Sequence, residues 1–455
     1  MSGGASGPSL GDLARGRAKV AIPARHSFWW DAAPLRDAAL PLPLAARLPT
    51  RTQVLVVGAG FTGLSAALVL ARAGRQVLVV DAGPPGFGAS TRNGGQVGSG
   101  NQKFRVATLV AMMGERKAVA LLREGVEMLD GIERLIAEEG IDCDFVRCGR
   151  FRGAMRPAHY EAMARDMEDL GRLAGVGFEM VPKADQHREI GSDLFCGGAL
   201  LPGDASLDPG RYHQGLLARA LDAGVRVEGQ ARVRGIETAA PGAGHVVRFD
   251  GHAVAAREVL VATNGYTSGV GAYLRRRIVP IVSAQIATGA VPADLMDRAM
   301  PRRRVYGNSN RVFFYFRPAP GGNRIVFGGR SAHLRPQSAP SAHAHLARAL
   351  LSVFPDLAAV PVTHAFSGAI GYTNDDFPHL GADQDGVFHA LGYCGTGVSR
   401  ATHFGRKIAL RMLGRPEGRS AFDDLPFPAH PLRALAPVGV PLVETWYRLR
   451  DRGNF

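Results

Sequence analysis

The chain has 455 residues, 46% of them hydrophobic, which is ample for a buried core and amounts to two or three domains' worth of chain. Its formal net charge of +14 rests on 54 Lys and Arg, and all but Lys19, Lys103, Lys117, Lys183 and Lys407 are arginine. The densest basic runs, Arg275 to Arg277 and Arg302 to Arg304, are short and lack interleaved aromatics, so nucleic-acid binding is not expected and a field that attracts an anionic ligand is the better use of the charge.

In chain order, the first 24 residues are rich in Gly, Ala, Ser and Arg without a sustained apolar core. That composition gives no secretory signal and reads as a mobile tail. Phe28-Trp29-Trp30 follows and is read as an N-terminal arm pinned on the body. The rival reading is a membrane-interface anchor, since Trp and nearby Arg suit headgroups. Pro34 to Pro49 reads as an extended connector.

The segment from Thr52 to Asp81 carries the strongest signal. Val54 to Val57 is a continuous apolar run, as a strand buried on both faces requires. Gly58-Ala59-Gly60-Phe61-Thr62-Gly63 follows at once. Leu64 to Leu70 then fits a helix ending near Gly74, and Val77 to Val80 is a second strand closed by Asp81. Gly58 permits the tight turn, Gly60 admits a pyrophosphate close to the backbone, and Gly63 lets helix and strand pack closely. The helix start offers free N–H groups and the positive end of a dipole. Asp81 can accept from ribose hydroxyls and disfavours a 2′-phosphate.

That fingerprint does not separate FAD from NAD. Residues 86–96 read GFGASTRNGGQ, and their Ser90, Thr91, Arg92 and Asn93, with Gly94, Gly95 and Gln96, supply the donors that a long flavin dinucleotide needs. Further on, Val225 to Val227, Ala231 to Ile236 and Val259 to Ala262 read as strands, the last ending at Thr263-Asn264-Gly265. Ile281 to Thr288 and Arg311 to Arg317 alternate like strands with one wet face. Cys143, Cys148, Cys196 and Cys394 form neither a CxxC nor a Cys/His zinc pattern, so reduced thiols are expected. His364, His379 and His389 are read as packing or surface residues, and no metal is assigned. Gly392-Tyr393-Cys394-Gly395-Thr396-Gly397 forms a second Gly-rich helix start before Val398 to Leu413. No run approaches the ~18 apolar residues of a membrane span, so a soluble, cytoplasmic protein without membrane association is expected.

The segments GAGFTGLSAAL and GASTRNGGQ resemble the D-amino-acid-oxidase-type FAD superfamily. Within it the likeness is to bacterial γ-glutamylputrescine oxidoreductases and their relatives. It extends through Ile141 to Asp144, Arg257 to Asn264, Ile278 to Pro280, Phe313 to Pro318, Ile325 to Arg330, Gly392 to Val398 and Trp446 to Asp451. The resemblance implies an α/β (overall α+β) architecture in which a Rossmann-type FAD domain (50–103, 200–272 and 365–416) interleaves with a helical and substrate-binding domain (104–199 and 273–364) on a mixed or antiparallel sheet. Tails would occupy 1–49 and 417–455. It assigns cofactor contacts to Val233, Thr263 and Asn264 beside the fingerprint, and seats Gly392, Tyr393, Gly395, Thr396 and Gly397 under the flavin ring. Thr396 stands where relatives carry His.

Relatives that tether FAD do so through a Cys before a Tyr-Thr pair. Here that place reads Gly371-Tyr372-Thr373, so FAD is expected to be non-covalent. The implied reaction is oxidation of an amine C–N bond by hydride transfer to the flavin, followed by imine hydrolysis, with O2 or a quinone-type acceptor taking the electrons. A strand Lys that helps oxygen react in some relatives is missing from Asn323 to Gly328. Tyr315, Arg317, Arg330 and Tyr372, with Tyr266, are the candidates for the substrate pocket, the guanidiniums as clamps for a carboxylate. Catalytic acid–base residues are not assigned, and the pattern leaves oligomeric state open. Oxidation of a 2-hydroxy acid, or a flavin-binding subunit without turnover in a larger complex, are the alternatives.

Overall fold

Val54 to Val57 and Val77 to Val80 lack any polar alternation, and both lie at the centre of a sheet covered on its two faces. The computed structural model describes residues 7–18, 20, 26–35, 43–99, 103–238, 244–330, 343–430 and 446. The first sheet has the path His379–Ala382, Phe388–Leu391, His252–Val261, Arg51–Val57, Val77–Val80, Arg226–Glu228. The four pairings from Phe388–Leu391 through Arg226–Glu228 are parallel. A hairpin of Gly235–Thr238 and His245–Phe249 pairs along the outer part of His252–Val261. The strand expected over Ala231 to Ile236 therefore begins only at Gly235. Ala231 N instead donates to Asp81 O at 2.7 Å, which folds that stretch back over the end of the second strand.

One face of this sheet carries the helices Phe61–Arg72, Pro209–Asp222 and Gly397–Met412 around Val54, Val56, Leu64, Leu68, Tyr212 and Phe404. The first and last of these touch backbone to backbone, since a Cβ on Gly405 would sit 2.4 Å from Thr62 O. Glu124, on the long helix Glu115–Glu138, accepts from Ala421 N and Ser420 Oγ and pairs with His403 at 2.8 Å, which fastens residues 420–422 to the bundle.

The second sheet runs Val362–Tyr372, Val279–Thr288, Ile325–Arg330, Phe314–Pro318, Val305–Asn308, Arg150–Gly153, Gly198–Leu201, Glu179–Val181. It is antiparallel except between Val305–Asn308 and Arg150–Gly153. The strand Val362–Tyr372 spans residue 365 and pairs along its length with this second sheet. Its neighbour Val279–Thr288 is buried on both faces over its last six residues, so the expected wet face is not found there. Mixed α/β architecture with two large sheets is thus observed as the pattern implied.

The N-terminal segment is not a loose tail where it is described. Ser9 caps the helix Leu10–Ala14, whose backbone docks through Leu10 N to Val360 O at 2.9 Å and Gly11 N to Ala358 O at 3.0 Å. Leu10, Leu13 and Ala14 have i, i+3, i+4 spacing and fill the core beside Leu346, Leu350 and Val353. A composition reading passes over so short an apolar stripe. The proline stretch holds one helical turn, Leu44–Arg47, and residues 36–42 lie outside the described residues, as does most of the Trp446 to Asp451 likeness. Among the described residues no helix is long and apolar enough to cross a membrane. All four cysteines are free.

Burial pushes His213, His343 and His389 down to about 4. Each folded value lies below the ordinary ~6.5, so the unfolded chain binds more protons in that window and stability present above pH ~6.5 is lost as pH falls towards 4. Urea unfolding between pH 5 and 6 is expected to take up protons, these three rings contributing a slope of up to roughly 4 kcal/mol per pH unit. A stability curve flat over that window would contradict the burial of these rings in neutral form.

Candidate cofactor and substrate site

The fingerprint turn is held at nearly every backbone polar atom. Gly58 has φ 110° and donates to Val80 O at 2.7 Å. Ala59 N donates to Asp81 Oδ2 at 2.9 Å, and Gly83 N to the other carboxylate oxygen at 3.0 Å. Burial raises the Asp81 carboxyl above its ordinary range, against the pull of those N–H groups. Ala59 O accepts from His213 Nε2 at 2.8 Å. His213 was not singled out by sequence; one histidine on an amphipathic helix carries no signal of such a role.

A methyl group at Gly63 would lie 1.9 Å from Gly58 O, and one at Gly60 would lie 2.7 Å from Ser90 Oγ. Neither position has room for a side chain. Gly60 provides no side chain to cap the helix Phe61–Arg72, and Thr396 does not cap Gly397–Met412, its hydroxyl turning back to Tyr393 O at 3.3 Å. Two helix starts whose N-cap residues supply no capping side chain, Phe61 N alone being taken up by Ser90 Oγ, suit an anionic, extended ligand.

The 86–96 loop is built rather than mobile. Ser90 Oγ accepts from Phe61 N at 3.1 Å. Thr91 Oγ1 donates to Gly86 O at 2.6 Å and accepts from Trp30 Nε1 at 2.7 Å. Asn93 Nδ2 donates to Ala89 O and Ser90 O, its Oδ1 accepts from Gly95 N at 2.8 Å, and its carbonyl accepts from Trp29 Nε1 at 2.7 Å. Arg92 lies 4.3 Å over the Phe87 ring and donates to Tyr266 Oη at 3.2 Å. Gln96 donates to Phe316 O at 3.1 Å. The aromatic arm expected at Phe28 to Trp30 thus props the loop from behind, with Trp29 only 1% exposed.

Val233 is buried against the outer face of the first sheet. Thr263 and Asn264 stand at the end of the strand His252–Val261. Asn264 has φ 44° and accepts from Gly392 N through Oδ1 at 3.0 Å, joining that strand end to the second glycine turn. Tyr393 Oη pairs with Thr62 Oγ1 at 2.7 Å, which ties the same turn to the fingerprint helix. Gly392 and Gly395 have φ of 81° and 101°, and Gly397 opens the helix. Burial pushes the Cys394 thiol up, and Sγ lies 3.2 Å from Gly392 O. A protonated, buried thiol is a poor tether for a flavin.

The expected pocket residues divide. Tyr315 Oη lies 3.1 Å from Ser283 Oγ and accepts from Gln285 Nε2 at 3.0 Å. Burial raises its phenol, against those bonds. Its ring packs where a Cβ on Gly94 or Gly328 would be. Tyr372 is flanked by Arg330, with Cζ 5.4 Å from the ring, and by Lys103, with Nζ 3.9 Å from it. Its hydroxyl lies 3.4 Å from the Cβ position of Gly395. Burial works against the charge on Lys103, yet Tyr372 and Asp376, the latter at 3.0 Å, hold its pKa above the ordinary lysine value. Lys103, Ser283 and Gln285 were not anticipated; in sequence nothing links them to the turn they adjoin.

Arg317 is placed differently from the expected carboxylate clamp. It is 3% exposed, and its Nη1 donates to Gly95 O at 2.8 Å and Leu207 O at 2.9 Å, its Nε to Pro318 O at 2.9 Å. Burial lowers it to about 10, so it stays charged. It anchors the 86–96 loop from beneath. Tyr266 is likewise engaged structurally, accepting from Arg92 and from Ala369 N at 3.0 Å.

Glycine cradle, terminal acid, propped donor loop and second open helix start together fit a flavin dinucleotide. Residues 53–411 match the DAO family, described as FAD dependent oxidoreductase, and the chain belongs to it. It is 29% identical over 409 residues to the probable oxidoreductase OrdL of Haemophilus influenzae, covering 88% of this chain and 92% of that one. To gamma-glutamylputrescine oxidoreductase of Escherichia coli it is 30% identical over 403 residues, with the same coverages of 88% and 92%. Glycine oxidase from Geobacillus kaustophilus superposes with a TM-score of 0.69 at 20% identity, over 84% of this chain and 99% of that one, a likeness of fold. The chain is thus an FAD-dependent oxidoreductase of the amine and amino-acid group.

Two outcomes follow from this geometry. Gly63→Ala is expected to force the Gly58 turn away from the helix, lowering the melting temperature and leaving little bound flavin, read as the flavin-to-protein absorbance ratio of the folded fraction. Arg317→Met leaves buried carbonyls without a donor and is expected to cost roughly 2–4 kcal/mol of stability and to weaken FAD retention. With FAD supplied in excess, substrate KM should stay near wild type; a selective rise in KM would instead make Arg317 a substrate ligand.

Proposed function

We propose that this enzyme oxidises the C–N bond of an amine that also carries a carboxylate, such as a γ-glutamylated polyamine or an amino acid. The observation that supports this reading most is the pair of cations, Arg330 and Lys103, that both approach the ring of Tyr372, whose hydroxyl adjoins Gly395. A relative named for γ-glutamylputrescine, and others named for glycine and D-amino acids, support the same substrate class.

When bound, FAD supplies the hydride acceptor, and the rest falls to the chain. Gly58 to Gly63 and Asp81 hold the dinucleotide, with Ser90 to Gln96, Thr263 and Asn264 along its length. Arg330 and Lys103 take the substrate carboxylate by charge-assisted bonds. Tyr315, kept protonated by its burial and bonded to Ser283 and Gln285, forms a fixed wall against which the carbon skeleton is oriented. The same cations disfavour protonation of the incoming amine, which must be neutral to react. Electrons then pass to O2 or a quinone-type acceptor, and FAD is held without a covalent bond.

Anaerobic mixing with a panel of amines, N-methylated amino acids, γ-glutamylputrescine and 2-hydroxy acids tests this directly. Loss of the visible flavin absorption with carboxylate-bearing amines is expected. Bleaching by hydroxy acids alone would overturn the proposal, and no bleaching without an added partner protein would make the chain a carrier subunit. Arg330→Met is expected to raise KM for carboxylate-bearing amines about 10- to 100-fold, the worth of a charge-assisted bond at ~1.5–3 kcal/mol. An equal rise for amines without a carboxylate would exclude it from that role.

A further inference from the structure

His364 sits on the strand Val362–Tyr372 with its side chain 2% exposed. Two residues of the N-terminal arm, His26 and Asp31, meet it there. His364 Nε2 lies 3.1 Å from Asp31 Oδ2, and His26 Nε2 lies 3.0 Å from Asp31 Oδ1. The two rings stack at 29° with centroids 6.0 Å apart. A ligating atom from each of the three residues falls within 4.8 Å of the other two.

A hydrogen-bond chain lies behind His364 at its Nδ1 side. Thr363 Oγ1 has one hydrogen, and it is directed at the carbonyls of Ala287 and Thr288, each 3.3 Å away. Thr363 Oγ1 therefore accepts from His364 Nδ1, at 2.9 Å. The other ring nitrogen, Nε2, lies 3.1 Å from Asp31 Oδ2, off the direction of a hydrogen bond. Nε2 is accordingly a buried ring nitrogen with no hydrogen-bond partner. A buried imidazole nitrogen without a hydrogen-bond partner, beside a carboxylate oxygen and a second imidazole, is a donor that a cation can take up.

We propose that His26, Asp31 and His364 form a binding site for a divalent transition metal of the zinc class. Two imidazoles and one carboxylate are a donor set that such ions favour. Tetrahedral coordination by N and O ligands sets neighbouring ligand atoms ~3.3 Å apart, close to the contacts present. The Nδ1–H to Thr363 is the second interaction that orients a metal-bound histidine. Asp31, 49% exposed, leaves an open side where water completes the coordination.

The ion would have a structural task. Between His26 and Asp31 lies the arm Ser27 to Trp30, whose Ser27, Trp29 and Trp30 bond to Thr91 and Asn93 of the cofactor loop. A metal there clamps the arm to the strand that ends in Tyr372, and so stiffens the support of that loop.

The test uses the full-length, FAD-loaded chain without an affinity tag, stripped with a chelator and dialysed. Zinc titration against a chromophoric chelator is expected to give one site per chain, and cobalt a tetrahedral visible spectrum. His26→Ala and Asp31→Asn alter half-buried or exposed side chains and should keep FAD while weakening zinc about tenfold or more. Zinc should raise the melting temperature of the wild type and not of these variants. Absence of a stoichiometric site, or unchanged zinc affinity in both variants, would overturn the proposal.

Discussion

The structure depends on the immobilised peptide at Gly58-Ala59-Gly60. A turn that must present N–H groups to an anion cannot also satisfy its own backbone in a helix or strand ladder. Its remaining polar atoms therefore need outside partners. They come from three separate parts of the chain: Val80 for Gly58 N, Asp81 for Ala59 N, and His213 for Ala59 O. His213 donates as a neutral ring, because burial lowers its pKa to about 4 against the pull of the Ala59 carbonyl. Gly63 closes the arrangement, because any side chain there would collide with Gly58 O.

A second constraint joins the two sheets. The loop 86–96 crosses between them and has little apolar surface with which to pack. It is fixed by polar anchors instead. Trp29 and Trp30 deliver ring N–H groups to Asn93 O and Thr91 Oγ1, while Arg317 delivers its guanidinium to Gly95 O and Leu207 O. A buried arginine is expensive to desolvate, and it is tolerated when carbonyls accept its hydrogens. Its planar fork reaches two carbonyls at once, which a lysine at this place would not do. The aromatic arm contributes apolar area on one side and directed donors on the other, the combination that suits tryptophan to such a task.

What the sequence reveals about this site follows from what is local. The fingerprint, its helix and Asp81 lie within a single crossover, where period, glycine spacing and terminal acid can be read together, and they occur as read. Elements that depend on distant partners are harder. Ala231 to Ile236 has strand composition, but the bond from Ala231 N to Asp81 O takes its first residues out of any ladder. Arg317 follows a strand pattern and carries a charge, and only the fold shows that its donors meet Gly95 and Leu207 rather than a ligand. Leu10–Ala14 has too few residues for periodicity to register, yet its three apolar side chains complete a core assembled from residues 344–360. Lys103 carries no motif at all, and its proximity to Tyr372 arises from tertiary packing.

The proposed pocket would differ from a simple anion trap in its charge balance. Lys103 and Arg330 both approach one aromatic ring, but Asp376 balances Lys103 at 3.0 Å, so the local field is less positive than two free cations would make it. Full neutralisation would remove the means of holding a carboxylate, whereas two unbalanced cations would bind any anion of suitable size. On the proposed reading, the two cations near Tyr372 would orient one carboxylate and disfavour protonation of a nearby amine. Tyr315, buried and bonded to neutral Ser283 and Gln285, adds no charge of its own. Selectivity on this view comes from where the carboxylate is fixed relative to the glycine turn at Gly392–Gly397. The distance from carboxylate to amine in the substrate, more than either group alone, decides which carbon faces the cofactor.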